Sequence, residues 1–401
     1  MNIFHRYVIR EHIAPFVLAF SVIMFILILK LMLDLMDMLI TKNVDIITMA
    51  QLLFYNLAWM IALVVPMSVL VATVMAFGQM AASREIVAMK AAGISMFRIA
   101  SPVIGISILI TIFMIWFNNK VLPEANQRTR NLNATIFLKK PMLSLKNREG
   151  QFITEIKDLT IRVDSLDYET EEMYGIILFK RGKGDAKTTI GARSGHFLPN
   201  QVGNRLTVVL KNGEFHQNDD NNSVRYVRGT FDELYYNLDF NFGPTSSQTA
   251  TKNDRTMTAN EMRREIEKIH GMNDYFRARI QHLPVEQAGS QLRIKRFERD
   301  IKNNEKKIAK YTVEIHKKNS IPFAAVIFVL VGAPLGILVK RSGASIGISL
   351  SFGFFMVYYL FLIGGESAAD RMIVAPWFAM WAPNIFLFPL GLFLFIYATR
   401  R

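Results

Sequence analysis

Six stretches of nearly uninterrupted apolar residues dominate the chain: Ile13–Leu33, Leu52–Phe77, Ile99–Phe117, Ile321–Val339, Ile346–Gly364 and Trp377–Tyr397. A helix needs roughly 20 such residues to cross a hydrocarbon core about 30 Å thick, so each stretch is predicted to be a transmembrane helix. Between the third and fourth lies a polar insert, Asn118 to Ser320, long enough at about 200 residues for a separate folded domain. The pattern predicts an α-helical integral membrane protein: spans 1–3 in residues 1–117, an insert, and spans 4–6 in residues 321–401.

Within the insert the period changes. Up to residue 254, apolar or β-branched residues alternate with polar ones in QFITEI, LTIRVDSL, MYGIILFKRG, LTVVLKNGEFHQ and SVRYVRGTFDELYYNLDF. Alternation with period two marks strands with one buried face, and Asn212–Gly213 carries a strong hairpin signal. Residues 118–254 are therefore expected to form a β sandwich or jelly roll. From 255 to 320 the pattern is helical. Thr258 and Glu261 have the spacing of a capping box and Gly271 reads as a helix stop. Ile294, Ile301, Ile308 and Ile315 fall seven apart, with Phe297 and Tyr311 between them and Asn304 as the polar exception. So short a heptad seam does not hold a coiled coil alone; it packs on a hairpin partner or on the β domain, or it pairs between subunits.

Charge orients the spans. Arg6, Arg10, Arg84, Lys90, Arg98, Lys340, Arg341, Arg400 and Arg401 collect on one side, whereas the short connections opposite hold Asp34, Asp37, Lys42, Asp45, Glu366, Asp370 and Arg371. The positive-inside rule makes both termini and the loop Ala82–Ser95 cytoplasmic and the insert external; long domains escape the rule, so the insert's own basic residues do not count against this. The net charge of +14 suits a membrane surface better than nucleic acid, because the basic residues are interleaved with acids or sit at the ends of apolar runs. No cysteine is present, which removes disulfides, thiolate catalysis and Cys-ligated zinc, and leaves the external domain to its own packed core. The N-terminal apolar run is too long for a cleavable signal peptide and is expected to remain as an anchor.

Enzyme chemistry is not visible. The nearest approach to a phosphate-cradling loop, RGKGDAKTT, has Arg181 and Ala186 where glycines are needed. His5, His12, His196, His216, His270, His282 and His316 show no close ligand spacing, and no nucleophile elbow occurs. The sequon at Asn133 and the NNS pattern that includes Asn222 are expected chance matches. No catalytic residue, metal site or cofactor is predicted, so any work this protein does needs an outside source of energy.

The short charged segment SREIVAMKAAG between the second and third spans is the chief candidate site. Ser83 reads as its N-cap, Glu85 sits in the first turn where the helix dipole favours an acid, and Gly93 ends it. The expected helix of about nine residues places Ile86, Met89 and Gly93 on one stripe. It either lies at the membrane interface, with Arg84 and Lys90 against lipid headgroups, or couples to a soluble ATPase.

That segment, followed by a β-rich insert after the third span, PFAAVIFVLVGAPLG (Pro322 to Gly336) in the fourth span and WAPN (Trp381 to Asn384) in the sixth, resembles the lipopolysaccharide export permease family LptF/LptG, also called YjgP/YjgQ, over nearly the whole chain. The resemblance implies a subunit of an ABC-type exporter in a bacterial inner membrane. It would pair with a second permease, itself or a paralogue, be driven by a cytoplasmic ABC ATPase dimer, and pass lipopolysaccharide to a periplasmic jelly-roll bridge protein. By position, Glu85 becomes the coupling acid, with Arg84, Ile86, Met89 and Gly93 around it. Lys30, late in the first span where a charge either snorkels or faces a polar cavity, becomes a partner for a lipid phosphate, and Lys42 a second one; Asp34 and Asp37 oppose a purely anionic ligand there. Phe197, Phe215 and Phe231 fill the β domain or line an acyl-chain path. Pro66 and Pro334 are ordinary membrane kinks or gate hinges. The helical segment Thr258–Lys318 is longer than the family leads one to expect. The competing reading is a membrane receptor or mechanotransmission subunit, which keeps the coupling helix but moves no lipid.

Overall fold

The computed structural model describes residues 3–42, 44–139, 145, 149–156, 159–167, 170–181, 187–199, 205–218, 226–239, 252–283, 288–338 and 343–400. Lys340, Arg341, Arg401, Asn222 and the loop 182–186 lie outside them, as do the side chains of Asp37 and Lys42. The chain forms two compact units, one of residues 1–30, 54–127 and 252–401 and one of residues 31–53 and 128–251.

Among the described residues the α-helices are α1 (Ile3–Lys42), α2 (Ile46–Ala82), α3 (Glu85–Ala91), α4 (Met96–Lys139), α5 (Ala259–Gln281), α6 (Ala288–Leu338), α7 (Gly343–Asp370) and α8 (Pro376–Arg400). Six of them, α1, α2, α4, α6, α7 and α8, are long and apolar enough to cross a membrane. They match the six apolar runs but outlast them. The third span runs past Phe117 to Lys139, and the helical segment 288–320 enters the fourth span without a break as one helix of 51 residues. Polar residues end an apolar run without ending a helix, since hydrogen bonding along the backbone is indifferent to side-chain polarity.

In the first unit, α2 and α6 touch at backbone distance. Gly332 and Gly336 in GAPLG are four apart on one face of α6; a Cβ at Gly332 would press on Thr73 at 3.2 Å, and one at Gly336 would meet the Val74 carbonyl oxygen at 2.6 Å and Gly78 N at 2.9 Å. This small-xxx-small contact draws helices together where lipid supplies no hydrophobic drive.

The α5–α6 hairpin resolves the heptad seam. Met262 and Ile269 of α5 pack with Tyr311 and Ile315 of α6, Phe276 stacks on Phe297 at 5.3 Å, and the exceptional Asn304 donates to buried Asn273 at 2.7 Å. A polar pair inside an apolar seam fixes register, because any slip leaves both amides unpartnered. The capping box is as expected: Glu261 N donates to Thr258 Oγ1, and Glu261 Oε2 accepts from Thr258 N at 2.8 Å. Gly271 does not stop α5, which runs through it to Gln281; packing against α6 outweighs the cost of one helical glycine, about 1 kcal/mol.

Burial alone would raise the Glu261 carboxyl, but Lys252 at 2.5 Å and the Thr258 amide and hydroxyl outweigh it and hold it below its usual value. Its contribution is therefore complete above the ordinary carboxylate pKa and is lost as pH falls through that value to the lower folded one. Between about pH 6 and pH 3.5 the thermal midpoint of the wild type should fall further than that of Glu261→Gln, and equal slopes in circular dichroism melts would refute this.

The second unit holds β1 (Ile153–Ile156), β2 (Leu159–Asp167), β3 (Glu172–Arg181), β4 (Lys187–Pro199), β5 (Arg205–Asn218) and β6 (Tyr226–Asp239) in one antiparallel sheet, each strand beside its neighbour in the chain. The expected β-rich domain is present, and its described strands form a meander in place of the crossing connections of a jelly roll. Alternation marks a strand but not its partner. Strand β4 escapes sequence reading because small residues replace β-branched ones: at Gly195 a Cβ would strike the Val209 carbonyl and Ile176.

Asn212–Gly213 is not a turn; it lies inside β5. Pairing lapses at one position in each of the four ladders from β2 to β6, Asp164 with Gly175, Gly175 with Arg193, Arg193 with Asn212, and Asn212 with Asp232, while the register on either side is unchanged. The result is a crease across five strands, with left-handed backbone at Gly175 (φ 65°) and Asn212 (φ 52°). Asn and Gly tolerate that conformation, which is why the same dipeptide serves a hairpin or a crease. Inward positions change parity across it: Ile190 and Ala192 face the core on one side, Phe197 on the other. Both halves share one core with Leu145. Phe215 lies across Gly229 and Phe231 across Gly213, each ring covering the glycine paired with it on the neighbouring strand.

Candidate functional site

The segment 83–95 forms a tight step between α2 and α4. Arg84, not Ser83, is the N-cap of α3, with φ 61° and no side-chain cap; its carbonyl accepts from Ala88 N at 3.0 Å. Ser83 is diverted because its hydroxyl lies 2.8 Å from Glu85 Oε1 and 3.1 Å from the Gln79 carbonyl at the end of α2. The helix has seven residues, fewer than expected. Gly93 (φ 80°) ends it as foreseen, with Gly93 N donating to Lys90 O at 2.9 Å and Ile94 N to Met89 O at 3.0 Å, the paired bonds of a Schellman motif.

Three ties hold α3 to the bundle. Tyr7 of α1 donates its hydroxyl to Glu85 Oε2 at 2.8 Å. Lys90 reaches the Ala398 carbonyl in the last turn of α8 at 2.6 Å, where the helix dipole favours a cation. Ile86 is 2% exposed and packs with Val8, Phe77, Met80, Ile99, Val329 and Phe395, a core shared by five spans, with Met89 partly buried beside it. The expected stripe therefore divides: Ile86 and Met89 face the chain's own helices, while Arg84, Val87, Ala88, Ala91 and Gly93 are exposed. Glu85 is intermediate, with both carboxylate oxygens engaged.

Lys30 is exposed on α1, whose apolar window is only 11% buried within the chain. Asp34 is exposed one turn further on; α1 extends to Lys42. The structure does not bring Lys30 and α3 together: they belong to different stretches of α1's environment, Tyr7 near one end and Lys30 well along it.

A second polar centre, absent from the sequence reading, gathers around the turn 317–322 of α6. Pro322 has no N–H, so the Lys318 carbonyl loses its helical donor, and Asn118 Nδ2 of α4 approaches it at 3.4 Å. Asn384 of α8 donates to the Ser320 carbonyl at 3.0 Å and Thr111 of α4 to the Pro322 carbonyl at 3.0 Å. Trp381 packs on Phe323 at 5.5 Å and donates to His316 at 3.4 Å. WAPN and the start of PFAAVIFVLVGAPLG thus meet in space. Beside them Lys317 bridges to Glu366 of α7 at 2.8 Å, and Lys318 bonds the Met257 carbonyl at the foot of the hairpin. Pro322 was the legible signal, since a proline within a span leaves a carbonyl that neighbouring helices must satisfy.

Three spans, a β-rich insert with a helical hairpin, and three more spans, with a small charged helix set between the second and third, define a multi-pass membrane protein with an inserted β domain. The chain belongs to the family of the lipopolysaccharide export system permease LptF/LptG, whose family model matches residues 6–397. It is a multi-pass inner-membrane protein and a transporter component, not itself an enzyme. No curated protein matches the chain at a significant level.

Proposed function

We propose that this chain is the transmembrane subunit of an ABC-type exporter that extracts lipopolysaccharide from the inner membrane and passes it to a periplasmic bridge protein, driven by a cytoplasmic ATPase dimer and paired with a second permease of the same kind. The observation that carries the reading is the triple attachment of α3, through Tyr7 to α1, Lys90 to α8 and Ile86 to the common core. A partner that pushes on the exposed face of Val87, Ala88 and Ala91 moves α1 and α8 together, which is what reshaping a lipid cavity requires. Both termini and α3 are cytoplasmic and the insert is periplasmic. Glu85 acts as the coupling acid while buttressed by Tyr7 and Ser83, with Arg84, Met89 and Gly93 shaping the contact and Ile86 transmitting it inward. Lys30, and Lys42 beyond it, meet phosphates of the lipid headgroup from α1, whose uncovered apolar face receives acyl chains or the second permease.

The test is photocrosslinking in cells, with a crosslinkable residue at Val87 and, separately, at Lys30. The expected products are an adduct of Val87 with an ABC ATPase and of Lys30 with lipopolysaccharide. An ATPase adduct without lipid at Lys30 would favour the mechanotransmission alternative, and absence of both would refute the exporter reading.

A further inference from the structure

The hairpin carries charge in a way that its fold does not need. Lys295, Arg299, Lys302, Lys306 and Lys310 recur at intervals of four, three, four and four residues on α6. At 100° per residue they fall on one stripe, opposite the seam of Ile294, Phe297, Ile301, Ile308 and Ile315 that packs on α5. All five are exposed, and no acid shares the stripe: Glu298, Asp300, Glu305 and Glu314 lie off it. The acids nearest the seam are used between the two helices, Glu265 with Lys307 and Glu305 with Arg277, whereas Lys295, Lys302, Lys306 and Lys310 form no ion pair among the described residues. The exposed back of α5 is mixed by contrast, with Arg264, Glu267 and Asp274 interleaved. Like charges at i,i+3 and i,i+4 destabilise a helix, so this stripe is retained against local stability.

We infer that the stripe is a binding track for the phosphorylated saccharide headgroup of the exported glycolipid, lying along residues 295–310 of α6; the inference rests on the lipopolysaccharide export reading above. Three features select this occupant. A second copy of the chain meeting the stripe through the same face would set like charges against each other. A protein partner needs an apolar centre and disfavours lysine at its contact, and the stripe offers five cations with no apolar centre. Flexible lysines spaced one per turn over about 22 Å suit an extended ligand with several separated negative charges, held by summed screened attraction and free to advance from one ammonium to the next.

The test uses the full chain in detergent micelles and purified lipopolysaccharide, native and enzymatically dephosphorylated, with binding followed over a range of salt concentrations. The variant Lys302→Gln/Lys306→Gln/Lys310→Gln should bind native lipopolysaccharide roughly a hundredfold more weakly at low salt, about fivefold per lysine, and with a shallower salt dependence. It should also melt higher than the wild type, because repulsion along the stripe is relieved. Dephosphorylated lipopolysaccharide should bind both proteins alike. A control, Arg263→Gln/Arg264→Gln/Lys268→Gln, removes as much charge from α5 and should bind as the wild type does. Equal binding by stripe variant and wild type, or equal weakening by the control, overturns the track and leaves the export reading standing. A wild type that binds no lipopolysaccharide overturns both.

Discussion

Replacing Gly336 by leucine should leave no folded permease in the membrane. Its Cβ would have to enter space held by the Val74 carbonyl oxygen and Gly78 N, which are backbone atoms of α2 and do not rotate aside as a side chain does. Overpacking a core costs about 1–3 kcal/mol where neighbours give way; here α2 and α6 must separate, and the Thr73 contact with Gly332 is lost with them. The expected loss exceeds about 3 kcal/mol, seen as aggregation on size-exclusion chromatography and loss of a cooperative melt. Gly353→Ala is the control, since nothing lies within 4 Å of a Cβ there, and it should be neutral or slightly stabilising. A Gly336→Leu protein that purifies as a monodisperse species with the wild-type midpoint would refute the close approach.

Glu366→Ala is the second large effect. It strands the Lys317 ammonium, which is left with Glu314 at 3.4 Å in place of the 2.8 Å bridge to α7. Breaking a fully buried pair costs about 3–5 kcal/mol. These side chains keep 21% and 26% of their surface, so about 2 kcal/mol is expected. Lys317→Met in the Glu366→Ala background should recover most of it, because the charge left without its partner is then gone. A double-mutant cycle with no coupling between the two sites would show that the bridge contributes nothing.

What could be read in advance follows from how each signal arises. The six spans were legible because twenty consecutive apolar residues have few other uses, and the capping box because its two bonds are local. Helix ends were not, since α4 and α6 continue through polar residues held by their own backbones. Asn212–Gly213 was recognised as a site of left-handed backbone and assigned to the wrong structure, because a crease and a hairpin ask the same of these residues. Ser83 met a stronger attraction, the carbonyl of Gln79 and the carboxylate of Glu85, than an N-cap offers. At α3 the residues were found but their facing was not: which side of a seven-residue helix is buried depends on where α1 and α8 end, and no local pattern carries that. The two glycines of GAPLG, four apart, carry a signal of their own, since small residues at that spacing let two helices approach closely.

The single helix α6 has a mechanical consequence. With α4, α7 and α8 gripping it around Pro322, the turn is a fulcrum. The arm outside it is about 50 Å long and the apolar arm about half of that. A tilt of about 5° would therefore sweep the far end by about 4 Å while displacing the inner end by about 2 Å, trading distance for force in either direction. Load on the outer arm is then felt in the bundle as torque, and movement driven from the bundle is magnified outside. Since such coupling is reciprocal, any ligand that prefers one tilt of the outer arm would bias the bundle as strongly as the bundle biases its binding.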